Sequence, residues 1–180
     1  MVDSELLAKI RNPESRSYGI NLLVRAYQVR VYWHVRKMVI DHDDANDLTQ
    51  DVFIKVNSAI DKFREDAQLF TWIYRIATNE CLNFLNKKRK RSQFFFSTED
   101  IEPELSAKID SSPDIDADAI EKKLQRALLK LPDKQRLVFN MKYFDEMPYE
   151  QIAAITSTSV GALKASYHHA VKKIEEYLNE

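Results

Sequence analysis

Glycine is almost absent from this chain, which contains only Gly19 and Gly161 among its 180 residues. Glycine-rich phosphate loops, Rossmann turns and most all-β folds need residues that tolerate a positive φ. The scarcity of glycine therefore argues against all three. Hydrophobic residues make up 44% of the chain, which is enough to build a buried core.

Apolar residues recur at steps of three and four along most of the sequence, a pattern typical of amphipathic helices. In the first half, NPES at 12–15 is interpreted as the start of a long helix, with Asn12 as its cap and Pro13 at its first position. The polar stretch 40–47 ends that helix and caps the next one. A third helix is expected over about 69–91.

Helical periodicity resumes at Ile120, is interrupted at Pro132 and continues in two further helices after Pro148. No segment shows the alternation of apolar and polar residues that is typical of a strand. The sequence therefore predicts an all-α fold made of two small helical domains.

The charges are unevenly distributed although the net charge is only −1. Residues 1–96 carry 16 basic and 12 acidic side chains, residues 97–121 carry one basic and nine acidic, and residues 122–180 carry ten basic and seven acidic. Because the middle segment offers little to bury, we predict an acidic flexible linker over 97–118. The predicted domains are then 1–96 and 119–180.

The single cysteine, Cys81, can form neither an internal disulfide nor a multi-thiolate metal site. No run of about 18 apolar residues and no signal-like N-terminus is present. We therefore expect a soluble, cytoplasmic protein without a metal or cofactor. His34 and His42 lack ligand spacing, so an enzyme is the least favoured class of protein.

Residues 148–178 have the pattern of a helix-turn-helix: a short helix, a turn over 156–159, and a longer helix that Ser159 is placed to cap. The outer face of the longer helix carries small and basic residues that would fit the major groove of DNA. An ordinary solvated helix with surface lysines is the alternative. The adjacent histidines 168 and 169 point in different directions on a helix, so they do not predict a metal site.

Aromatic and basic residues alternate over 63–91, a mixture suited to unstacked DNA because bases stack on aromatic rings and cations follow the backbone. Amides such as Asn79 and Asn83 could read an extruded base. The alternative is that the aromatics are core residues and the basic run is a solvated helix end. For Phe63 and Tyr74 we favour the core.

These segments together resemble the extracytoplasmic-function group of the bacterial sigma-70 family. The stretch DDANDLTQDVFIKV at 43–56 resembles the part of region 2 that binds the clamp helices of RNA polymerase. The stretch at 70–91 resembles the part that melts and reads the −10 promoter element. The stretch at 128–174 resembles region 4, whose helix-turn-helix reads the −35 element.

The resemblance implies a role for residues in each segment. Expected contacts to the −10 element are Arg64, Phe70, Thr71, Trp72, Arg75, Asn79, Asn83, Lys87 and Lys88. Expected contacts to the −35 element are Lys164, Ser166, His168, His169 and Lys172. Expected polymerase contacts are Asp47, Leu48, Gln50, Asp51 and Phe53.

The sequence departs from the family at the −35 reading helix, where Ala162 and Ser166 stand in place of the common Thr and Arg. We therefore expect Lys164 or His169 to contribute more than Ser166. The implied partners are promoter DNA and the polymerase core, through its clamp helices and flap, with an anti-sigma factor as a further candidate. The acidic linker is either a nucleic-acid mimic inside the polymerase or a plain tether.

A sigma factor of this kind would have no chemistry of its own. A stand-alone helix-turn-helix regulator that binds a palindromic operator is the alternative, but it leaves the aromatic and basic segment 70–91 without a purpose. Because the chain neutralises few phosphates, we expect it to bind DNA weakly without polymerase. The polymerase would strengthen binding by tethering both domains at once.

Overall fold

The computed structural model describes residues 3–95, 107 and 119–179, and this part of the chain folds into α-helices without a strand. The predicted all-α class is thereby confirmed. The helices are α1 (Asp3–Arg11), α2 (Arg16–Val39), α3 (His42–Ala59), α4 (Leu69–Phe95), α5 (Ala119–Leu129), α6 (Asp133–Phe139), α7 (Tyr149–Thr156) and α8 (Val160–Asn179). All but one residue of the predicted acidic linker, 97–118, lie outside the described part.

The predicted helix start at 12–15 is wrong, because these residues form the turn between α1 and α2. The side chain of Asn12 accepts a hydrogen bond from the amide of Glu14 at 3.0 Å, which closes a local turn instead of capping a helix. The hydroxyl of Ser15 donates to the carbonyl of Lys9 at 2.9 Å. The chain therefore folds back on itself here, and α1 packs along α2.

Gly19 makes the packing of α1 against α2 possible. A Cβ atom at this position would lie 2.9 Å from the backbone nitrogen of Ile10 and 2.9 Å from its Cγ1. Such a contact is too close for any other residue unless the helices separate. One of the two glycines thus serves a close helix–helix contact and not a turn.

The break between α2 and α3 is the one that the sequence predicts. Ile40 has a positive φ of 69°, and Asp41 caps α3 by accepting a hydrogen bond from the amide of Asp44 at 2.8 Å. Helices α2, α3 and α4 then pack around a shared interior. Its fully buried members are Val31, Val35, Met38, Ala45, Val52, Ile73, Ala77 and Cys81.

The C-terminal helices α5 to α8 form a second unit with a core of its own. That core consists of Ala127, Leu128, Leu131, Phe139, Ala170 and Ile174. A π-helical turn, Asn140–Phe144, continues α6 and was not predicted. The turn is followed by a short segment that leads to the helix-turn-helix formed by α7 and α8.

The two helical units pack directly against each other. Leu137, Val138 and Met141 from the second unit belong to the same buried cluster as the core of the first, and Ile152 of α7 joins them. We call this surface, formed by α2 and α4 on one side and α6, the π-turn and α7 on the other, the interdomain contact. The domain boundaries at 96 and 118 remain a prediction.

Candidate nucleic-acid interfaces

Helix α4 presents a polar stripe on the side opposite its buried residues. Arg75, Asn79 and Asn83 follow each other at steps of four, so they lie on one face, and all three are exposed. Lys87 continues the stripe and is exposed as well. The polar face that the sequence predicts is therefore accessible over three turns. Lys88 lies beside this polar stripe, and its ammonium group forms an ion pair with Asp44.

The loop before α4 positions the aromatic end of this face. Phe63 is buried and its ring centre lies 5.3 Å from that of Trp72, which is half-buried. Glu65 adopts a positive φ of 58° and pairs with Arg11 at 2.6 Å, which ties the loop to α1. Arg64 is exposed beside it. The exposed Arg64 and the half-buried ring of Trp72 thus lie at the N-terminal end of the polar stripe.

Two of the predicted −10 contacts lie in the interior, which corrects the prediction that they touch DNA directly. Phe70 is 8% exposed and Thr71 is 5% exposed. The ring of Phe70 lies 4.1 Å from that of Tyr74, and the guanidinium of Arg30 covers it at 4.2 Å. A base cannot stack on a ring whose faces are already covered, so Phe70 supports the helix instead of contacting DNA.

The core interpretation of Phe63 and Tyr74 is confirmed. Both side chains are buried, and the Tyr74 hydroxyl donates to the carbonyl of Arg30 at 3.1 Å. Burial raises the pKa of Tyr74 to about 12, so the hydroxyl stays neutral. Burial likewise raises the pKa of Cys81 to about 12, which leaves this thiol unreactive.

Helix α3 carries the predicted polymerase contacts, of which Asp47, Gln50 and Asp51 are exposed and Phe53 is half-buried. Leu48 is only 6% exposed and packs in the core, so the structure contradicts a direct contact by this residue. Its position on the apolar face with Val52 and Val56 already indicated burial.

Sequence reasoning missed Ile54, whose side chain is 66% exposed on the same helix. It stands four residues after Gln50 and three after Asp51, so it shares their face. Ile54 is thus an exposed apolar side chain on the face that also carries Gln50 and Asp51. The signal was present in the sequence, because Ile54 does not fit the apolar spacing of α3.

Helix α8 is built as the second helix of a helix-turn-helix. Ser157 adopts a left-handed conformation in the turn, with a φ of 53°, and the Ser159 hydroxyl accepts from the amide of Ala162 at 3.3 Å. The predicted cap is therefore confirmed. Leu163 is buried against the preceding helix, which turns the opposite face outward.

Most of the predicted −35 residues are exposed on that outer face, namely Lys164, His168, His169 and Lys172. Ser166 differs, because it is half-buried and lines a cleft of about 140 Å³ together with Asn79 and Thr158. No cluster of three or more potential metal ligands occurs among the residues that the structure describes. The outer face of α8 thus presents two lysines and two histidines to solvent.

Comparison with known proteins agrees with this geometry. Residues 23–91 match the family described as Sigma-70 region 2, and residues 121–174 match the family described as Sigma-70, region 4. The chain belongs to the sigma-70 family. The region 2 match contains the stripes of α3 and α4, and the region 4 match contains the helix-turn-helix. A stand-alone regulator would not be expected to match both.

Curated relatives support the same assignment. The chain is 29% identical to the RNA polymerase sigma-H factor of Pseudomonas aeruginosa, covering 98% of this chain and 93% of that protein. It is also 29% identical to the ECF RNA polymerase sigma-E factor of Escherichia coli K12, covering 97% and 93%.

Two solved structures share the fold at 22% sequence identity. One is the sigma factor RpoE of Bartonella quintana in complex with the anti-sigma factor NepR, with a TM-score of 0.66 over 88% of this chain and 96% of that one. The other is CnrH in complex with the cytosolic domain of CnrY, with a TM-score of 0.65 over 97% and 95%. Among the described helices of this sigma-70 family chain, none is long and apolar enough to cross a membrane.

Proposed function

We propose that this sigma-70 family chain is an ECF-type sigma factor that directs core RNA polymerase to promoters and assists their melting. The observation that carries the proposal is the pair of exposed polar helix faces, on α4 and α8, each inside a separate sigma-region match. The protein would act in the cytoplasm as a transcription initiation factor and not as an enzyme.

The face of α4 is suited to single-stranded −10 DNA. Arg75 supplies a cation for the backbone, and Asn79 and Asn83 supply donors and acceptors for a base edge. Trp72 and Arg64 complete this surface at its loop end. Arg64, Trp72, Arg75, Asn79, Asn83 and Lys87 are therefore the −10 contacts that we propose.

The face of α8 is suited to the major groove of −35 duplex DNA. Small residues, Ala162 and Ala165, allow a close approach of the helix, while Lys164 and His169 reach outward. Ser166 is half-buried and lines the cleft between the two units, so it is less accessible than the other residues of this face. We therefore assign −35 contact first to Lys164, His168, His169 and Lys172.

The exposed face of α3 is the surface that we propose for the clamp helices of polymerase. Asp47 and Asp51 give it negative charge, and Ile54 supplies an apolar anchor of the kind found at interface centres.

Region 4 would contact the polymerase flap. Because the solved RpoE structure that shares this fold is a complex with the anti-sigma factor NepR, we also propose that an anti-sigma factor binds this chain.

Reconstituted transcription tests this proposal. Core polymerase with the chain should produce run-off transcripts from promoters selected from a random pool, whereas core alone should not. Asn79→Ala with Asn83→Ala should reduce the yield about tenfold and relax selectivity at the −10 element. Lys164→Ala should likewise reduce the yield and relax selectivity, but at the −35 element. Asn21→Ala, an exposed amide on α2 outside both faces, is the matched control.

Two results would contradict the proposal. One is the absence of promoter-dependent transcripts with any template when the chain is known to be folded. The other is tight binding of the isolated chain to a palindromic duplex in physiological salt, which would indicate a stand-alone regulator.

A further inference from the structure

Helix α2 carries a second apolar strip on the side opposite its core. Ala26, Val29 and Trp33 follow each other at steps of three and four, so they lie on one face over about two turns. All three are exposed, Val29 by 61% and Trp33 by 44%. We call these three residues the α2 strip. Because they are exposed with both helical units in place, the interdomain contact does not cover them.

The surroundings of the α2 strip are basic. Helix α2 contains no acidic residue between Arg16 and Val39. Arg25 and Arg30 flank Val29 and are exposed, and the guanidinium of Arg30 is held 4.2 Å from the ring centre of Phe70. Two copies of this strip would repel each other, because like charges would face one another. The strip therefore fits a helix that is apolar at its centre and acidic at its sides.

The exposed face of α3 has this chemistry. Asp47, Asp51 and Ile54 also follow each other at steps of four and three, and Ile54 is 66% exposed. Within the part of the chain that the structure describes, neither aspartate forms an ion pair. The α3 face thus matches the α2 strip in length and in its apolar centre, and it carries the opposite charge.

The α2 strip and the α3 face of one chain cannot bind each other, because the two helices already pack together through their core sides. The helices are joined only by Ile40 and Asp41, so they run antiparallel side by side. A second copy rotated by 180° can place its α3 on the first α2 and its α2 on the first α3. Such a two-fold contact covers both surfaces of each copy and closes at two chains.

We propose that the chain self-associates into a two-fold dimer, in which the α2 strip of each copy binds the α3 face of the other. This association goes beyond the proposed function. One consequence rests on that function, since the dimer covers the α3 face that we propose for the clamp helices of polymerase. A given chain then binds either its own copy or polymerase.

Sedimentation equilibrium of the full-length chain tests the association. The contact is small, so we expect monomer at about 1 μM and a substantial fraction of dimer at about 100 μM. Trp33→Ala should weaken the dimer at least about tenfold, because an aromatic side chain at the centre of a contact contributes most to binding. Tyr143→Ala is the matched control, since Tyr143 is 53% exposed on the second unit, and it should leave the dissociation constant unchanged.

A pair of charge-reversal variants tests which surfaces meet. One variant combines Arg25→Glu with Arg30→Glu, and the other combines Asp47→Lys with Asp51→Lys. Each variant alone should be monomeric at about 100 μM, because like charges then face each other in both halves of the contact. An equimolar mixture should form a dimer of one chain of each variant, since both halves again join opposite charges. Recovery in the mixture also shows that both variants are folded.

The inference is overturned if the wild type stays monomeric at about 100 μM, if its mass keeps rising beyond two chains, or if the mixture of variants does not associate. It is also overturned if folded Trp33→Ala loses promoter-dependent transcription, because polymerase would then be the partner of the α2 strip. We expect this variant to retain transcription.

Transcription with core polymerase separates failure of this inference from failure of the proposed function. A monomeric wild type that supports promoter-dependent transcription shows that only the self-association is wrong. A dimeric wild type that supports none shows that the proposed function is wrong and leaves the dimer standing. Excess core should dissociate the dimer, whereas a complex of two chains per core would contradict the competition.

Discussion

Acidification from pH 7 to pH 5 is expected to destabilise the folded chain through His34. This side chain is buried on α2, where its Nε2 lies 3.0 Å from the hydroxyl of Thr78. The pKa of His34 is lowered from 6.5 to about 4, chiefly by burial. The carboxylate of Asp145, 4.0 Å away, opposes this change, and the charge of Lys37 adds a smaller decrease. The folded protein therefore holds His34 neutral.

The magnitude follows from the difference between the folded and unfolded pKa of His34. As the pH falls below 6.5 the unfolded chain binds a proton that the folded chain refuses, so the contribution to stability is present above pH 6.5 and is lost as the pH falls towards 4. Between pH 7 and pH 5 this difference amounts to about 2 kcal/mol of unfolding free energy.

Urea unfolding at the two pH values, followed by circular dichroism, measures this loss. His34→Gln keeps a hydrogen-bonding group towards Thr78 but cannot titrate, so its unfolding free energy should fall by about 2 kcal/mol less than that of the wild type. His168→Gln, at an exposed position, should behave like the wild type. Equal losses in wild type and His34→Gln would refute the reasoning.

Two further predictions concern packing and capping. Gly19→Ala should lower the unfolding free energy by about 1–2 kcal/mol although alanine has the better helix propensity, because the new Cβ meets the backbone of Ile10 at 2.9 Å. Gly161→Ala, whose Cβ has nothing within 4 Å, should instead raise the unfolding free energy by up to about 1 kcal/mol. Thermal melting of both variants shows whether each is less or more stable than the wild type. Ser159→Ala should cost about 1 kcal/mol by removing the cap of α8, whereas Ser17→Ala, exposed on α2, should cost nothing measurable in the same assay.

Sequence reasoning succeeded where structure is decided locally. The caps formed by Asp41 and Ser159 each depend on a side chain and an amide three residues later, so residue type and spacing suffice to find them. Helix α1 was missed for the opposite reason. Its nine residues are stabilised by packing on α2, and that packing depends on Gly19, whose role appears only when both helices are in place.

The candidate DNA and polymerase residues likewise divide into those whose exposure is predicted correctly from helical spacing and those that are buried by neighbouring helices. Polar stripes such as Arg75, Asn79 and Asn83 follow from helical spacing, and they are exposed as expected. Phe70 and Leu48 were assigned by position in the resemblance, but burial is set by the neighbouring helices. In both cases the spacing of the residue relative to the buried residues of its helix predicts its burial better than the resemblance does.

The contacts between the two units could not be predicted from local patterns. In the sequence Arg136 resembles an ordinary surface arginine on a short helix. Its buried guanidinium donates a hydrogen bond to the carbonyl of Met38, which caps the end of α2 and lies 98 residues earlier in the chain. Nothing in the spacing around either residue indicates that one caps the other. Such contacts are fixed by the relative placement of the helices, which the periodicity of each helix does not determine.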